Sequence, residues 1–248
     1  ISAWATRSQR GFVHSRVPLE GVVELDAFAR CAAFGALPSS PAALSLLDFS
    51  TAFPHISRDF ILWVMRIAEF PAHLIRLAEA TWRDSFVVGG DGGFLYGVGR
   101  GVGQGCSAAA SLFVIGIEPL LRALELRLDF RRNEALSAFA DDIAITSESV
   151  TRLLSLEPIF AIFSRSATLN LGTPKCVVIP LASGCSAAAA ECVRACLVDT
   201  PWRQFSVASH AALIGFHIGP TANAHAWTKP MSKLAERVSQ IACSGRPV

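Results

Sequence analysis

The chain has 248 residues, 52% of them hydrophobic and 17% charged, with Lys+Arg 22 against Asp+Glu 20 and a formal net charge of +2. That length and apolar content support a sizeable core in one large domain or two small ones, and they exclude intrinsic disorder. The balance of charge excludes a strongly basic nucleic-acid tail, since no block of like charges exceeds a few residues.

Much of the apolar content is alanine, 38 residues in all, which favours helices more than membranes. The longest apolar stretch, Ala108 to Ile117, falls short of the ~20 residues of a spanning helix and closes at Glu118-Pro119. A soluble chain with no membrane association is expected. It begins at Ile1 without Met or a basic-then-apolar signal segment, and it carries 19 Arg against 3 Lys. An internal piece of a longer protein is therefore expected. The seven cysteines, Cys31, Cys106, Cys176, Cys185, Cys192, Cys196 and Cys243, are odd in number and contain no C-x-x-C pair. Reduced thiols in an intracellular protein are the expectation, with nucleus and cytoplasm both open.

In chain order, Arg7 to Arg16 reads as a basic loop with a Gly-Phe turn. A helix follows over about 18–34, stopped by Gly35 and Pro38-Ser-Ser-Pro41. The apolar run Ala43 to Phe49, interrupted by Asp48, fits a buried strand. Ser57 and Asp59 open an amphipathic helix broken at Pro71, and a second continues to about Arg83. Ser85–Val88 and Phe94–Tyr96, joined by Gly89-Gly-Asp-Gly-Gly93, read as a hairpin. The glycine-rich stretch Gly97 to Gly105 then leads into a helix over about 107–128.

Leu136–Phe139 and Ile143–Thr146 form a second hairpin around Ala140-Asp141-Asp142, and a helix over about 150–168 comes after it. Cys176–Pro180 is a strand, Ala187–Val198 a helix and Leu213–Ile218 a last strand. Strands and helices mix without βαβ alternation, so the fold class is α+β.

Three carboxylates carry the chemistry. Asp48 ends an apolar strand, and Asp141-Asp142 sit at a hairpin turn. A carboxylate at a buried strand end is costly unless paired or metal-bound. Clustered acids raise one another's pKa unless a cation lies between them, and oxygen-only ligands suit Mg²⁺ with substrate phosphates. Read singly, Asp-Asp is also a common turn dipeptide and Asp48 a helix N-cap.

The neighbours of these acids occur in a fixed order: QRGFVHSR at Gln9–Arg16, LDFSTAF at Leu47–Phe53 and GVGQGCSAAASLF at Gly101–Phe113. After them come FADD at Phe139–Asp142, LNLGTPKCVVI at Leu169–Ile179 and LIGFHI at Leu213–Ile218. The ordered set, spanning about residues 9–220, resembles the reverse transcriptases of non-LTR (LINE-like) retrotransposons. The resemblance implies a right-hand polymerase palm with partial fingers over 1–220, an antiparallel sheet packed on helices, and the start of a thumb over 221–248. It implies that Asp48 and Asp141 hold two Mg²⁺ ions (Mn²⁺ being an alternative), with Asp142 the supporting acid and Lys175 an acid near the triphosphate.

Phe49, Phe53, Gln104 and Gly105 match nucleotide-binding positions, Phe53 beneath the sugar, where a ring would disfavour a 2′-hydroxyl. A core phenylalanine is the other reading of Phe53, and a solvated loop lysine that of Lys175. Arg7, Arg10 and Arg16 would suit contacts to a nucleic-acid backbone. An RNA template, a DNA primer and deoxynucleotides are the implied partners. Ser107 stands where the family carries Pro, and His14-Ser15 replaces its residue-Gly pair. A decayed palm that binds nucleic acid without catalysis is the rival expectation. A palm that polymerises RNA, or a nucleotide cyclase, is more distant.

Overall fold

A computed structural model describes residues 1–103, 105–183 and 187–243. After an N-terminal loop, α1 (Pro18–Gly35) leads to β1 (Ala42–Leu47), then α2 (Ala52–His55), α3 (Arg58–Ile67) and α4 (Ala72–Trp82). The hairpin β2 (Phe86–Val88) and β3 (Phe94–Gly97) precedes α5 (Ala109–Glu125). A second hairpin, β4 (Ala135–Phe139) and β5 (Asp142–Ser147), is followed by α6 (Val150–Leu154), α7 (Glu157–Ala167), β6 (Val177–Leu181) and α8 (Ala187–Leu197). The chain then runs through β7 (Ser206–Val207), the hairpin β8 (Ala211–Leu213) and β9 (Phe216–Ile218), α9 (Ala222–His225) and α10 (Thr228–Cys243).

The main sheet has the order β4-β5-β1-β6-β7. Its pairs are antiparallel except at one edge, where β6 and β7 run parallel. β1 lies at its centre and is buried at every position, which explains why its sequence is a continuous apolar run rather than an alternating one. Ala43 and Leu47 face the core formed with α3, α5 and α7, and Ala42, Leu44 and Leu46 face the core under α1. Ser45, the polar residue of the strand, is buried and donates to the carbonyl of Ile145 at 3.2 Å.

α5 is the main column of the first core. Phe113, Ile117, Leu120, Leu121 and Leu124 are all fully buried, each contributing about 1.5–3 kcal/mol of burial. The helix continues past Pro119, which lies inside it. Gly116 lets α5 approach α2 and α3, because a Cβ there would lie 2.4 Å from Ile56 Cδ1 and 3.0 Å from Ile61 Cγ1.

Several expected elements differ in detail. β1 stops at Leu47, which leaves Asp48 just beyond the sheet. The helix expected over 150–168 is two helices, with the break at Ser155-Leu156 and Pro158 in the first turn of α7, where its missing N–H costs nothing. The last strand, Leu213–Ile218, is instead part of a hairpin, turned by Ile214 (φ 50°) and Gly215 (φ 85°). Apolar alternation does not reveal that left-handed pair. Among the described residues no helix is long and apolar enough to cross a membrane.

Candidate active site

The antiparallel register pairs Leu47 with Ile143 and Phe139 with Asp142. Continued by one step, it sets Asp48 beside Asp142, with Asp141 in the adjoining two-residue turn. Acids that are 93 positions apart in the chain (141 − 48) are thus brought to one end of the sheet by ladder geometry alone.

Asp48 is held through its backbone: its carbonyl accepts from Gly172 N–H at 2.8 Å, and its N–H lies 3.4 Å from Cys176 Sγ. Its side chain remains partly exposed and pairs with Lys175, Nζ to Oδ2 3.4 Å. Burial pushes the Asp141 carboxyl above its ordinary range; Asp48 pushes it further, while a backbone hydrogen bond and Lys175 oppose the rise. Asp142 is raised by partial desolvation first, then by Asp141 and Asp48. It stands at the surface, so water tempers its share and Asp141 carries the greater cost. Asp48 and Asp142 themselves line a cavity of about 240 Å³, with Lys175, Leu46, Val177 and Leu213 among its other walls.

The turn itself is strained. Ala140 takes a left-handed conformation (φ 57°), which costs a residue with a Cβ about 1–2 kcal/mol. Gln9 holds this turn from outside, its Oε1 accepting from the N–H of Ala140 at 3.0 Å.

The structure sorts the other expected residues. Phe53 stacks on Phe113 (centroids 4.4 Å, 10° between planes) and meets the edge of Phe12 at 6.3 Å, half-buried on the turn that follows Asp48. The ring of Phe49 is buried against Phe163, within the core behind β1. Gly105 is exposed in a left-handed conformation (φ 94°); Gln104 lies outside the described residues. Arg16 donates to the carbonyls of Ala5, Thr6, Gln9 and Ser2, which makes it the clasp of the N-terminal loop. Arg10 pairs with Glu20 and Glu24. Arg7 is exposed.

Two supports escaped the sequence reading. Arg58 Nε donates to Gly101 O at 2.8 Å and its guanidinium also reaches Val98 O, pinning the glycine-rich loop. Burial lowers its pKa. Glu118 is fully buried, accepts from Thr6 N–H at 2.7 Å and pairs with Arg122 at 3.0 Å. No local signal marks the long-range contacts of either, since Val98, Gly101 and Thr6 lie 40 or more residues away from the side chains they meet.

Oxygen donors that repel one another at a partly open sheet end are what a divalent cation neutralises. Among the described residues no group of three or more His, Cys, Asp or Glu side chains is placed to hold a metal ion. One or two carboxylates at an open edge suit a hard divalent cation that completes its shell with water and substrate phosphates.

The central antiparallel sheet, its helical backing and the acids at one end define a polymerase palm. The sequence matches the family described as reverse transcriptase (RNA-dependent DNA polymerase) over residues 7–211, and the chain belongs to that family. No curated protein is matched by sequence. Among solved structures, apo telomerase from Candida tropicalis aligns with TM-score 0.60 and 11% identity over 86% of this chain and 36% of that one. Telomerase from Candida albicans, in complex with a TWJ fragment of telomeric RNA, aligns with TM-score 0.57 and 12% identity over 87% and 34%. A Candida tropicalis telomerase truncated of its C-terminal domain gives 0.56 and 13% over 86% and 39%. At that identity the likeness is one of fold, and this chain spans little more than a third of each telomerase. The chain is a reverse transcriptase domain, and members of its family use divalent metal ions.

Proposed function

We propose that this domain extends a DNA primer on an RNA template and derives from a retrotransposon of the non-LTR type. The retrotransposon assignment is supported by the ordered segments from Gln9 to Ile218. The meeting of Asp48 with Asp141 and Asp142 across the β1–β5 register carries the catalytic reading. Asp48 and Asp141 would hold Mg²⁺, or Mn²⁺, which supplies charge neutralisation for the attacking 3′-oxygen and the leaving pyrophosphate. Phosphoryl transfer asks the protein mainly for positioning. Here the raised carboxyls offer oxygens that gain from a cation, and Lys175 stands beside Asp48 as a proton donor towards the departing phosphate. Phe53, braced by Phe113, favours deoxynucleotides by crowding a 2′-hydroxyl. Residues 1–220 form the palm with part of the fingers, and 221–248 begin the thumb.

The test is primer extension on poly(rA)/oligo(dT) with Mg²⁺, comparing dTTP with UTP. Extension that prefers dTTP and is lost in Asp48→Asn and Asp141→Asn supports the reading. Binding of the hybrid without extension identifies a non-catalytic palm instead.

A further inference from the structure

Gln9 is fully buried and is not among the residues proposed to touch substrate. Its Oε1 accepts two backbone hydrogen bonds, from Gly11 N–H at 2.8 Å and from Ala140 N–H at 3.0 Å. Both neighbours are donors, so only the amide oxygen can face them, and the orientation of the amide follows from chemistry. Residues 8–10 run along the edge of β4: Arg10 N–H donates to Ala138 O at 2.7 Å and Ala138 N–H to Ser8 O at 2.8 Å. Gly11 closes this short added strand against the turn. A Cβ on it would lie 2.5 Å from Ala140 N and 2.9 Å from the Phe139 carbonyl carbon. The strand is anchored from behind, with Ser8 Oγ donating to Glu125 at 2.6 Å and Arg16 donating to the carbonyl of Gln9 and to that of Ala5 before it.

The first residue of a two-residue hairpin turn has an N–H that no ladder partner accepts. At Ala140 that amide is buried in a strained conformation, one residue before Asp141. We propose that Gln9 is a positioning residue of this active site, holding the Ala140 amide and so setting the direction in which the Asp141 carboxylate leaves the turn. The proposal rests on Asp141 being a metal-binding acid.

Two features favour positioning over packing. A neutral amide oxygen accepts both N–H groups without adding a further negative charge to the acids, as a glutamate would. Gln9 Nε2 is buried without a hydrogen-bond partner among the described residues, a defect that leucine or methionine in the same space would not have. The side chain is therefore kept for its oxygen.

The test uses readouts that do not depend on turnover: amide hydrogen exchange at Ala140 and Gly11, and Mn²⁺ affinity from water-proton relaxation, per folded molecule. Gln9→Met keeps volume and removes the acceptor; Gln9→Glu keeps the acceptor. In Gln9→Met, exchange at Ala140 is expected to rise at least tenfold, and Mn²⁺ binding to weaken several-fold, in a chain that still unfolds cooperatively. Gln9→Glu is expected to retain the protection of Ala140. Wild-type protection or wild-type Mn²⁺ affinity in Gln9→Met overturns the proposal. If Gln9→Met does not fold, Gln9→Asn, one methylene too short to reach, is read by the same two measures.

Asp141→Asn serves as the control for the metal reading. If it leaves Mn²⁺ binding unchanged, that reading fails by itself, and Ala140 protection in the Gln9 variants still decides whether Gln9 holds the turn.

Discussion

Asp141 is placed at a cost to the fold. Its carboxyl is raised from the ordinary value of 3.8 by burial, and by Asp48 nearby. The folded state therefore holds its proton more tightly than the unfolded chain does. Stability at this site is greatest below the ordinary value and falls as pH rises through the window up to the raised one. At neutral pH in the absence of divalent ions, Asp141→Asn should stabilise the protein by about 0.5–2 kcal/mol. It should also abolish most of the stabilisation that Mg²⁺ gives the wild type. Thermal melts with and without Mg²⁺ check both halves; a destabilised, still Mg²⁺-responsive variant would remove Asp141 from the site. Cys176 lies directly beneath Asp48, where burial pushes its thiol up to about 11. At pH 8 iodoacetamide should modify exposed Cys31 and Cys106 and spare Cys176 until the protein unfolds, as peptide mapping would read.

The glycine-rich loop and the turn after Asp48 form one unit at the scale of elements. Gly101 N–H donates to Ile56 O and Val102 N–H to Phe53 O, both at 2.8 Å, and Arg58 ties the loop from its other side. Gly101 adopts φ 81°, and a Cβ on it would sit 2.3 Å from Pro54 O. Gly101→Ala is therefore strained twice over, in its backbone and in its contact with a carbonyl that cannot swing aside. It should cost about 1–3 kcal/mol, lowering the denaturant midpoint with an unchanged slope. A variant within 0.5 kcal/mol of wild type would show that the loop packs elsewhere. The pattern GVGQG is legible as a close approach of backbone in the sequence, yet its partner, Pro54, is not. Contact between segments nearly fifty residues apart leaves no periodic trace.

Across the whole molecule, α5 connects the core to the candidate site. Its buried Glu118 receives Thr6 N–H and Arg122, whose guanidinium also lies 4.9 Å over Trp4. Glu125 receives Ser8, and one residue further along Gln9 reaches the Ala140-Asp141 turn. Glu118→Ala would leave the part-buried Thr6 N–H without its acceptor and should cost about 1–3 kcal/mol. It should also speed hydrogen exchange over residues 4–10 before it affects β1. Uniform loss of protection across β1 and β5 would show instead that the N-terminal strap is part of the global core.

Composition and order in the chain determined that an α+β reverse transcriptase domain is encoded, because apolar periodicity and short ordered segments are local properties. They marked Asp48, Asp141 and Asp142 through the segments that carry them, and Gln9 and Gly11 as parts of a motif without a stated task. Tertiary structure alone decided what those residues touch. It turned Arg16 into a loop clasp and Phe49 into a core residue, and it set the oxygen of Gln9 against Ala140. Strand register is settled by which side chains bury together in both cores, and hydrogen bonds between distant segments depend on that register. The resemblance already implied that the acids come together, but how they meet is set by the register of the folded sheet.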